Sequence, residues 1–341
     1  MKKLKPTAYL AAGTAALLML TTACTSASAG GAGGDGEVIN IVGFAVPEAA
    51  NQAIAAKFQE TEAGQGVTFS GSYGASGDQS RKVEAGADAD YVHFSIEPDV
   101  TRLVDAGLVA EDWNAGPTNG IVSDSVVVLV VPEGNPKGIE DWDDLVGDDV
   151  KVITADPASS GAAKWNVLAA YSQAIAAGQS EEEAHEYLTQ LFANVSQWAG
   201  SGREATEAFD KGVGDVLITY ENEAILARQS GKAYDYIVPD NTFLIENPGT
   251  ILEDATPAAK PWLDFVLSEE GQTEFVKKGF RPVIDGLSDV EVEGANDPAD
   301  PFPTPANLGT VADLGGWSEI NAKWFDDGAL FSQLYDEATQ K

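Results

Sequence analysis

Cysteine, histidine and positive charge are scarce in this sequence. Its 341 residues include one cysteine and two histidines, and 20 lysines and arginines stand against 54 aspartates and glutamates. A single cysteine excludes a disulfide framework within the chain. Two distant histidines with no cysteine pair argue against a transition-metal site. The formal net charge of −34 argues against nucleic acid and anionic membrane surfaces as partners. We therefore expect no metal and no cofactor.

The chain begins with the pattern of a secretory signal. Lys2, Lys3 and Lys5 precede an apolar run over residues 8–20, which is too short for a stable membrane anchor. Small residues then lead to Cys24, and this arrangement is similar to a bacterial lipobox. The pattern predicts a signal peptide over residues 1–23, lipidation of Cys24 and a flexible tether over residues 24–36, which is rich in glycine and serine.

From residue 38 onward, β-branched runs alternate with amphipathic helical patterns. This alternation predicts an α/β fold of mainly parallel sheets flanked by helices. There are two such blocks, and the chain crosses between them more than once, which predicts two lobes with a cleft between them. We assign residues 37–122 and 246–341 to lobe 1, and residues 123–245 to lobe 2.

Three junctions rich in small residues each precede a predicted helix, at residues 74–77, 159–162 and 200–203. A fourth loop, residues 220–223, follows a predicted strand. A helix start carries N–H groups without intrahelical partners and a partial positive charge, so it suits an anion. Ligands of open parallel sheets bind at the carboxyl ends of strands, where these junctions fall.

These loops resemble those of the periplasmic sulfate-binding proteins of ABC uptake systems. Residues 159–166 are similar to that family's Ser-Ser-Gly-Gly-Ala-Arg-Trp-Asn, residues 74–79 to its Gly-Gly-Ser-Gly-Lys-Gln, and residues 214–224 to its Gly-Asp-Val-Leu-Ile-Ala-Trp-Glu-Asn-Glu-Ala. The resemblance covers about residues 38–341. It implies a two-lobed periplasmic-binding-protein fold, a monomer without catalytic activity, and an ABC permease as partner. The protein would be held on the outer face of the cell membrane by its N-terminal lipid alone.

In that family, neutral hydrogen-bond donors hold sulfate without a contacting countercharge. The resemblance implies that this chain binds sulfate, or thiosulfate, through a corresponding set of donors: Ser76, Ser160, Gly161, Ala162, Gly202 and Tyr220. It places Gly77, Lys164 and Arg203 in supporting positions. No catalytic residue follows from it.

Some positions depart from the family pattern. Tyr220 stands in place of Trp, Ala162 in place of Gly, and Lys164 in place of Arg. Asp78 stands where the family has Lys. A carboxylate facing the ligand would suit hydrogen phosphate, which must donate a hydrogen bond, and would repel sulfate. Helix geometry places Asp78 about 200° round from Ser76, so we favour sulfate and keep phosphate, or another tetrahedral oxyanion, as an alternative.

A secreted enzyme acting on a phosphorylated or sulfated substrate is the second alternative. Such an enzyme needs a base beside its nucleophile or its bound water. Neither His93 nor His185 lies in a motif of that kind. The sequence therefore favours a binding protein.

Overall fold

The computed structural model describes residues 36–339 of the chain. The predicted signal peptide, Cys24 and almost all of the predicted tether lie outside these residues. Within the described range, no helix combines the length and the apolar character that crossing a membrane requires.

Ten strands of the described residues form a single sheet. In chain order they are β1 (Val38–Phe44), β2 (Thr68–Gly74), β3 (Tyr91–His93), β4 (Ile121–Pro132), β5 (Val152–Ala155), β6 (Val195–Ala199), β7 (Val216–Tyr220), β8 (Tyr234–Ile237), β9 (Asn241–Ile251) and β10 (Asn307–Gly309).

Helices connect most of these strands. The α-helices are α1 (Glu48–Phe58), α2 (Ser76–Glu84), α3 (Glu97–Asp105), α4 (Gly161–Ala176), α5 (Glu181–Ala193), α6 (Gly202–Asp210), α7 (Glu221–Gln229), α8 (Ala259–Val266), α9 (Glu269–Lys277), α10 (Trp317–Ile320) and α11 (Leu330–Thr339). Short 3₁₀-helices span Trp142–Val146 and Ala312–Leu314, and a π-helical turn spans Asn321–Phe325.

The main path through the sheet runs β2-β1-β3-β9-β4-β7-β5-β6. At one end, β1 pairs in parallel with β2 and β3; at the other, β5 pairs in parallel with β6 and β7. Each of these strands is followed by a helix or continues directly into one. The predicted α/β class with two mainly parallel groups of strands is confirmed.

The strands β4 and β9 join the two parallel groups. They pair antiparallel with each other from Ile121↔Pro248 to Val126↔Leu244. The second half of β4 then pairs with β7 and β8. The sequence analysis assigns no strand to residues 241–251, where the chain crosses back toward the first block, whereas the structure forms a central strand there. Three polar residues of that segment, Thr242, Asn247 and Thr250, are buried.

The last helices pack beside α4 and α5. Lys164 Nζ donates to Asn321 Oδ1 at 3.0 Å, Lys323 Nζ to Glu181 Oε1 at 2.9 Å, and the Tyr335 hydroxyl to Asp156 Oδ2 at 2.7 Å. These contacts place residues 317–339 next to elements that our assignment gives to lobe 2. The lobe boundaries remain a prediction.

Candidate functional site

The start of α4 is one of the most buried parts of the candidate site. Strand β5 ends at Ala155, and α4 begins at Gly161 with Ser160 as its N-cap residue. Ser160 is 3% exposed, and its side chain makes no capping hydrogen bond to the helix. A Cβ atom added to Gly161 would lie 2.8 Å from the Ser95 Cβ. Glycine is therefore needed for this helix start to approach the loop before α3 so closely.

The start of α2 lies against the same loop. Ser76 is the first residue of α2 and is 1% exposed. Its hydroxyl donates to Asp99 Oδ2 at 2.6 Å and accepts the Ser95 N–H at 2.9 Å. Next to it, a Cβ atom added to Gly77 would lie 3.2 Å from the Ser159 carbonyl oxygen. The α2 and α4 junctions are thus neighbours, as the sequence predicts.

The third junction forms the start of α6. Ser201 caps this helix by accepting the Glu204 N–H at 3.2 Å. A Cβ atom added to Gly202 would lie 3.3 Å from the Ala162 Cβ and 3.3 Å from Val46 Cγ2. Gly202 and Ala162 therefore face each other across the first turns of α6 and α4, and both are buried.

Arg203 ties this junction to its surroundings. Its guanidinium donates to both carboxylate oxygens of Glu223, at 2.8 and 3.0 Å, and to the Val46 carbonyl oxygen at 3.1 Å. Burial disfavours the charged guanidinium, but the neighbouring Glu223 outweighs it and raises the pKa of Arg203. The positive charge of Arg203 is thus paired with Glu223. The same guanidinium holds the loop before α1 through the Val46 carbonyl oxygen.

Tyr220 ends β7 and is the N-cap residue of α7. The side chain is fully buried, and its hydroxyl oxygen lies 2.8 Å from Ser95 Oγ. Burial raises the pKa of Tyr220, so the hydroxyl stays protonated. It is therefore a neutral group that can donate a hydrogen bond, as the predicted role requires.

Ser95 is the residue that the sequence analysis missed. It contacts Ser76 and Tyr220, and its carbonyl oxygen accepts the Trp165 Nε1–H at 2.9 Å and the Asn247 Nδ2–H at 3.0 Å. Ser95 lies between β3 and α3, which is the same strand-to-helix position as the predicted junctions. Its loop has no glycine, so a search for glycine-containing junctions passes over it.

The site therefore consists of helix starts. The loops before α1 and α3 and the first turns of α2, α4 and α6 pack against one another, together with Tyr220 at the start of α7. Each helix start presents N–H groups without intrahelical partners and a partial positive charge. The six predicted donor residues all belong to these loops and first turns. Such an arrangement is suited to an oxyanion that has lost its water shell.

The charged residues singled out from the sequence lie at the edge of this arrangement. Asp78 is exposed and forms an ion pair with Arg81 at 2.6 Å. Lys164 lies one helical turn after Ser160, where its Nζ lies over the Phe325 ring, 4.8 Å from the centroid. Burial lowers the pKa of Lys164, although Asp99 and Asp326 oppose this effect.

Asp99 is a buried carboxylate in contact with the start of α2. It is 3% exposed, and in addition to the Ser76 hydroxyl it contacts Arg102 Nη1 at 3.2 Å. Burial raises the pKa of Asp99, and the hydrogen bond from Ser76 and the charge of Arg102 act in the opposite direction. One carboxylate oxygen of Asp99 thus accepts a hydrogen bond from Ser76 of α2, and the other accepts one from Arg102 of α3.

The histidine nearest to these loops has a structural role. His93 is fully buried, with Nδ1 3.3 Å from Asn51 Oδ1 and Nε2 3.2 Å from Ser123 Oγ. Burial lowers its pKa to about 3, so the ring is neutral near pH 7. Among residues 36–339, no group of three or more histidine, cysteine or acidic side chains is placed to hold a metal ion.

Comparisons with known proteins point to one family. The model of the bacterial extracellular solute-binding protein family matches residues 39–281. The chain is 38% identical to a sulfate-binding protein of Synechococcus elongatus over 94% of each chain. It is 31% identical to a thiosulfate-binding protein of Pseudomonas aeruginosa over 82% of this chain and 85% of the relative. Among solved structures, the sulfate-binding protein SubI from Mycobacterium tuberculosis is 44% identical with a TM-score of 0.79, covering 85% of this chain and 100% of that one.

Proposed function

The chain belongs to the family of bacterial extracellular solute-binding proteins, and from that premise we propose that it captures sulfate, or thiosulfate, and delivers it to an ABC permease. The similarity to two sulfate-binding proteins, at 38% and 44% identity, supports the choice of ligand. The chain is a binding protein and not an enzyme.

One observation carries the proposal: helix starts with neutral side chains meet at one buried place. Sulfate at neutral pH has no proton, so its binding site must supply donors and no acceptor. We propose that Ser76, Ser160, Gly161, Ala162, Gly202 and Tyr220 supply them. Their hydrogen bonds replace those of water, and the partial charges of the helix starts offset the negative charge without a contacting cation.

We propose that two lobes close around the anion. Both predicted lobe boundaries fall inside the paired strands β4 and β9, close to the pair Ser123↔Asn247. These strands would act as the hinge of closure. The junctions of α2 and α3 would come from lobe 1 and those of α4, α6 and α7 from lobe 2. Binding would then stabilise the closed arrangement because only closure brings all donors to the ligand.

We also propose how the protein is held in place. The N-terminal pattern predicts lipid on Cys24, with residues 25–36 as a tether between the lipid and the folded domain. The domain would act as a monomer on the outer face of the cell membrane. Its large negative charge argues against direct contact with anionic lipid headgroups.

Phosphate is the less favoured ligand. The proposal of a phosphate site depended on Asp78, which is exposed and pairs with Arg81. Asp99 does not replace it, because its two oxygens contact Ser76 and Arg102. Without a free acceptor, the proton of hydrogen phosphate would be left unpaired in a dry site, which disfavours its binding.

Isothermal titration calorimetry of the domain, residues 36–341, with sulfate, thiosulfate and phosphate tests the proposal. We expect sulfate to bind with a Kd below about 10 µM, which corresponds to about −7 kcal/mol. We also expect the sulfate affinity to be constant between about pH 6 and pH 8, where sulfate keeps one protonation state. Tighter binding of phosphate than of sulfate, or no binding of either, would contradict the proposal.

A further inference from the structure

The hydrogen bond between Ser95 and Tyr220 can run in either of two directions. The two hydroxyl oxygens lie 2.8 Å apart, and both residues are fully buried. A hydroxyl has one proton to donate and can also accept. If Tyr220 donates to Ser95, the proton of Tyr220 is used inside the protein. If Ser95 donates to Tyr220, the proton of Tyr220 remains available for a ligand.

Trp165 determines how the Ser95 oxygen is used. An indole N–H can donate a hydrogen bond and cannot accept one. The Trp165 Nε1–H reaches the Ser95 carbonyl oxygen at 2.9 Å and Ser95 Oγ at 3.2 Å. The Ser95 hydroxyl is thus already an acceptor, and its own proton needs a partner. Among residues 36–339, the Tyr220 oxygen is the one acceptor within hydrogen-bond distance of this hydroxyl.

The opposite direction would leave a buried donor unpaired. If Tyr220 donated to Ser95, the Ser95 oxygen would accept two hydrogen bonds, and the Ser95 proton would have no acceptor. Buried donors without an acceptor are rare, because the hydrogen bond that they lose to water is not replaced. The bond therefore runs from Ser95 to Tyr220.

Ser95 and Tyr220 lie between the helix starts of the candidate site. The Ser95 N–H donates to Ser76 Oγ, at the start of α2, at 2.9 Å. A Cβ atom added to Gly161, the first residue of α4, would lie 2.9 Å from Ser95 Oγ. Tyr220 is itself the N-cap residue of α7. The Tyr220 proton is thus close to the other donors that we assign to the oxyanion.

We propose that Ser95 is a positioning residue of the oxyanion site. It accepts a hydrogen bond from Trp165 and donates one to Tyr220, which directs the Tyr220 proton to the bound anion. Hydrogen bonds in such a chain polarise one another, so the last donor becomes stronger. The anion receives this hydrogen bond without a prior rearrangement of Tyr220. The inference rests on the proposed function, because it takes Tyr220 as one of the sulfate donors.

Calorimetric titration of the domain with sulfate tests the inference through Ser95→Ala. We expect the sulfate affinity to fall about fivefold, because the Tyr220 hydroxyl loses its fixed direction and its polarising partner. Tyr220→Phe should lower the affinity further, about tenfold, because the donor itself is lost. The reverse direction of the bond predicts the opposite sign, since Ser95→Ala would then release the Tyr220 proton for the ligand. Unchanged or tighter binding by Ser95→Ala would therefore overturn the inference.

The double variant Ser95→Ala/Tyr220→Phe separates positioning from a general structural role. If Ser95 acts through Tyr220, adding Ser95→Ala to Tyr220→Phe should change the sulfate affinity by less than about twofold. A loop that is merely loosened would weaken binding equally in both backgrounds, and this result would contradict the inference. Ser80→Ala is the matched control. Ser80 is fully buried, donates to the Asp99 carbonyl oxygen at 2.6 Å and accepts from Arg102 Nη1 at 2.9 Å, and its loss should leave the sulfate affinity within about twofold.

A second pair of variants keeps the shape of the side chain constant. Ser95→Thr retains the hydroxyl, whereas Ser95→Val has a methyl group in its place. The cost of the additional methyl group beside Gly161 is common to both. We expect Ser95→Val to bind sulfate about fivefold more weakly than Ser95→Thr, and the two to agree within about twofold in the Tyr220→Phe background. Circular dichroism and urea unfolding check that each variant is folded. Equal affinities of Ser95→Thr and Ser95→Val would overturn the inference.

The failure of this inference can be told apart from the failure of the proposed function. If the original protein binds sulfate and Tyr220→Phe binds it equally well, Tyr220 donates no hydrogen bond to the ligand. The inference about Ser95 is then wrong and the sulfate function stands. If the original protein does not bind sulfate, both proposals fail.

Discussion

The starts of α2 and α4 have the same sequence signature and differ in what their serines do. Each begins with a buried serine followed by glycine, Ser76-Gly77 in α2 and Ser160-Gly161 in α4. The Ser76 hydroxyl donates to Asp99 and accepts the Ser95 N–H. The Ser160 side chain makes no hydrogen bond to its own helix. One serine is thus part of an internal network, whereas the other is free to turn its hydroxyl toward a ligand.

This difference shows that a helix start can contribute to an oxyanion site either with its side chain and backbone together or with its backbone N–H groups alone. At α4 the backbone N–H groups and the side chain of Ser160 are all available for a ligand. At α2 the side chain of Ser76 connects two other loops, so its hydroxyl must leave Asp99 before it can donate to an anion. We therefore expect loss of the Ser160 hydroxyl to affect binding and loss of the Ser76 hydroxyl to affect stability.

The largest effect is expected from a negative charge at the α4 start. Ser160→Asp should lower the sulfate affinity by at least about 1,000-fold, or about 4 kcal/mol, because it replaces a donor with a like charge in a desolvated site. Calorimetric titration measures the effect. Ser159→Ala is the matched control, because the Ser159 hydroxyl donates to the Gly200 carbonyl at 2.9 Å, and its affinity should stay within about threefold of the original. A Ser160→Asp variant within tenfold of the original affinity would contradict our assignment.

The two glycines sharpen the comparison. A methyl group at position 161 would lie 2.8 Å from the Ser95 Cβ, whereas at position 77 it would lie 3.2 Å from the Ser159 carbonyl oxygen and 3.3 Å from the flexible end of Arg81. We expect Gly161→Ala to lower the free energy of unfolding by about 1–3 kcal/mol, as overpacking does. Gly77→Ala should change it by less than about 1 kcal/mol, since a better helix propensity offsets the tighter contact. Urea unfolding measures both, and equal losses would show that the two helix starts are packed alike.

Removal of the two hydroxyls tests the comparison most directly. Ser76→Ala should lower the free energy of unfolding by about 1–3 kcal/mol, because the Ser95 N–H and Asp99 each lose a buried partner. Ser160→Ala should leave stability within about 0.5 kcal/mol. It should lower the sulfate affinity about tenfold, or about 1.4 kcal/mol, since one donor to the ligand is lost.

Each variant is the control of the other, and both urea unfolding and calorimetry are applied to the pair. If Ser76→Ala weakens sulfate binding more than Ser160→Ala does, Ser76 donates to the ligand through its hydroxyl and not through its backbone N–H alone. The internal network that we describe would then be only the arrangement without ligand.

Much of the fold follows from local sequence. The β-branched runs and the glycine-containing helix starts predict most strands and helices to within a few residues, because period and capping are local properties. The strand β9 was missed because its identity depends on pairing. Asn247 is buried there only because its side chain donates to the Ser95 carbonyl oxygen and lies near Ser123, far away in sequence.

The candidate site shows the same limit. Loops with serine and glycine before a helix can be found from sequence, and the structure brings those three junctions together. Ser95 and Asp99 could not be found in this way, because their importance comes from contacts with Ser76, Tyr220 and Arg102 on other elements. Neither residue lies in a motif that distinguishes it from an ordinary loop or helix residue.

The smallest effect is expected from Asp99, the partner that only the α2 start has. Burial raises the pKa of Asp99 above its ordinary value, while Ser76 and Arg102 act against this shift. An aspartate whose pKa is raised on folding stabilises the folded state while it is protonated, and this contribution is lost as the pH rises from the ordinary pKa, about 3.9, through the folded one. Asp99→Asn does not titrate, so the stability of the variant relative to the original should rise with pH across that window and stay constant above it.

Urea unfolding at a series of pH values from about 4 upward measures this difference. Asp105→Asn, at the exposed end of the same helix, is the matched control over the same range. The slope should be shallow, because the hydrogen bond from Ser76 and the charge of Arg102 both favour the ionised carboxylate and offset part of the effect of burial. In the Ser76→Ala background one of these opposing contacts is gone, so the slope for Asp99→Asn should become steeper. If the stability of Asp99→Asn relative to the original falls as the pH rises, the ion pair with Arg102 outweighs burial. The ionised carboxylate of Asp99 would then stabilise the start of α2.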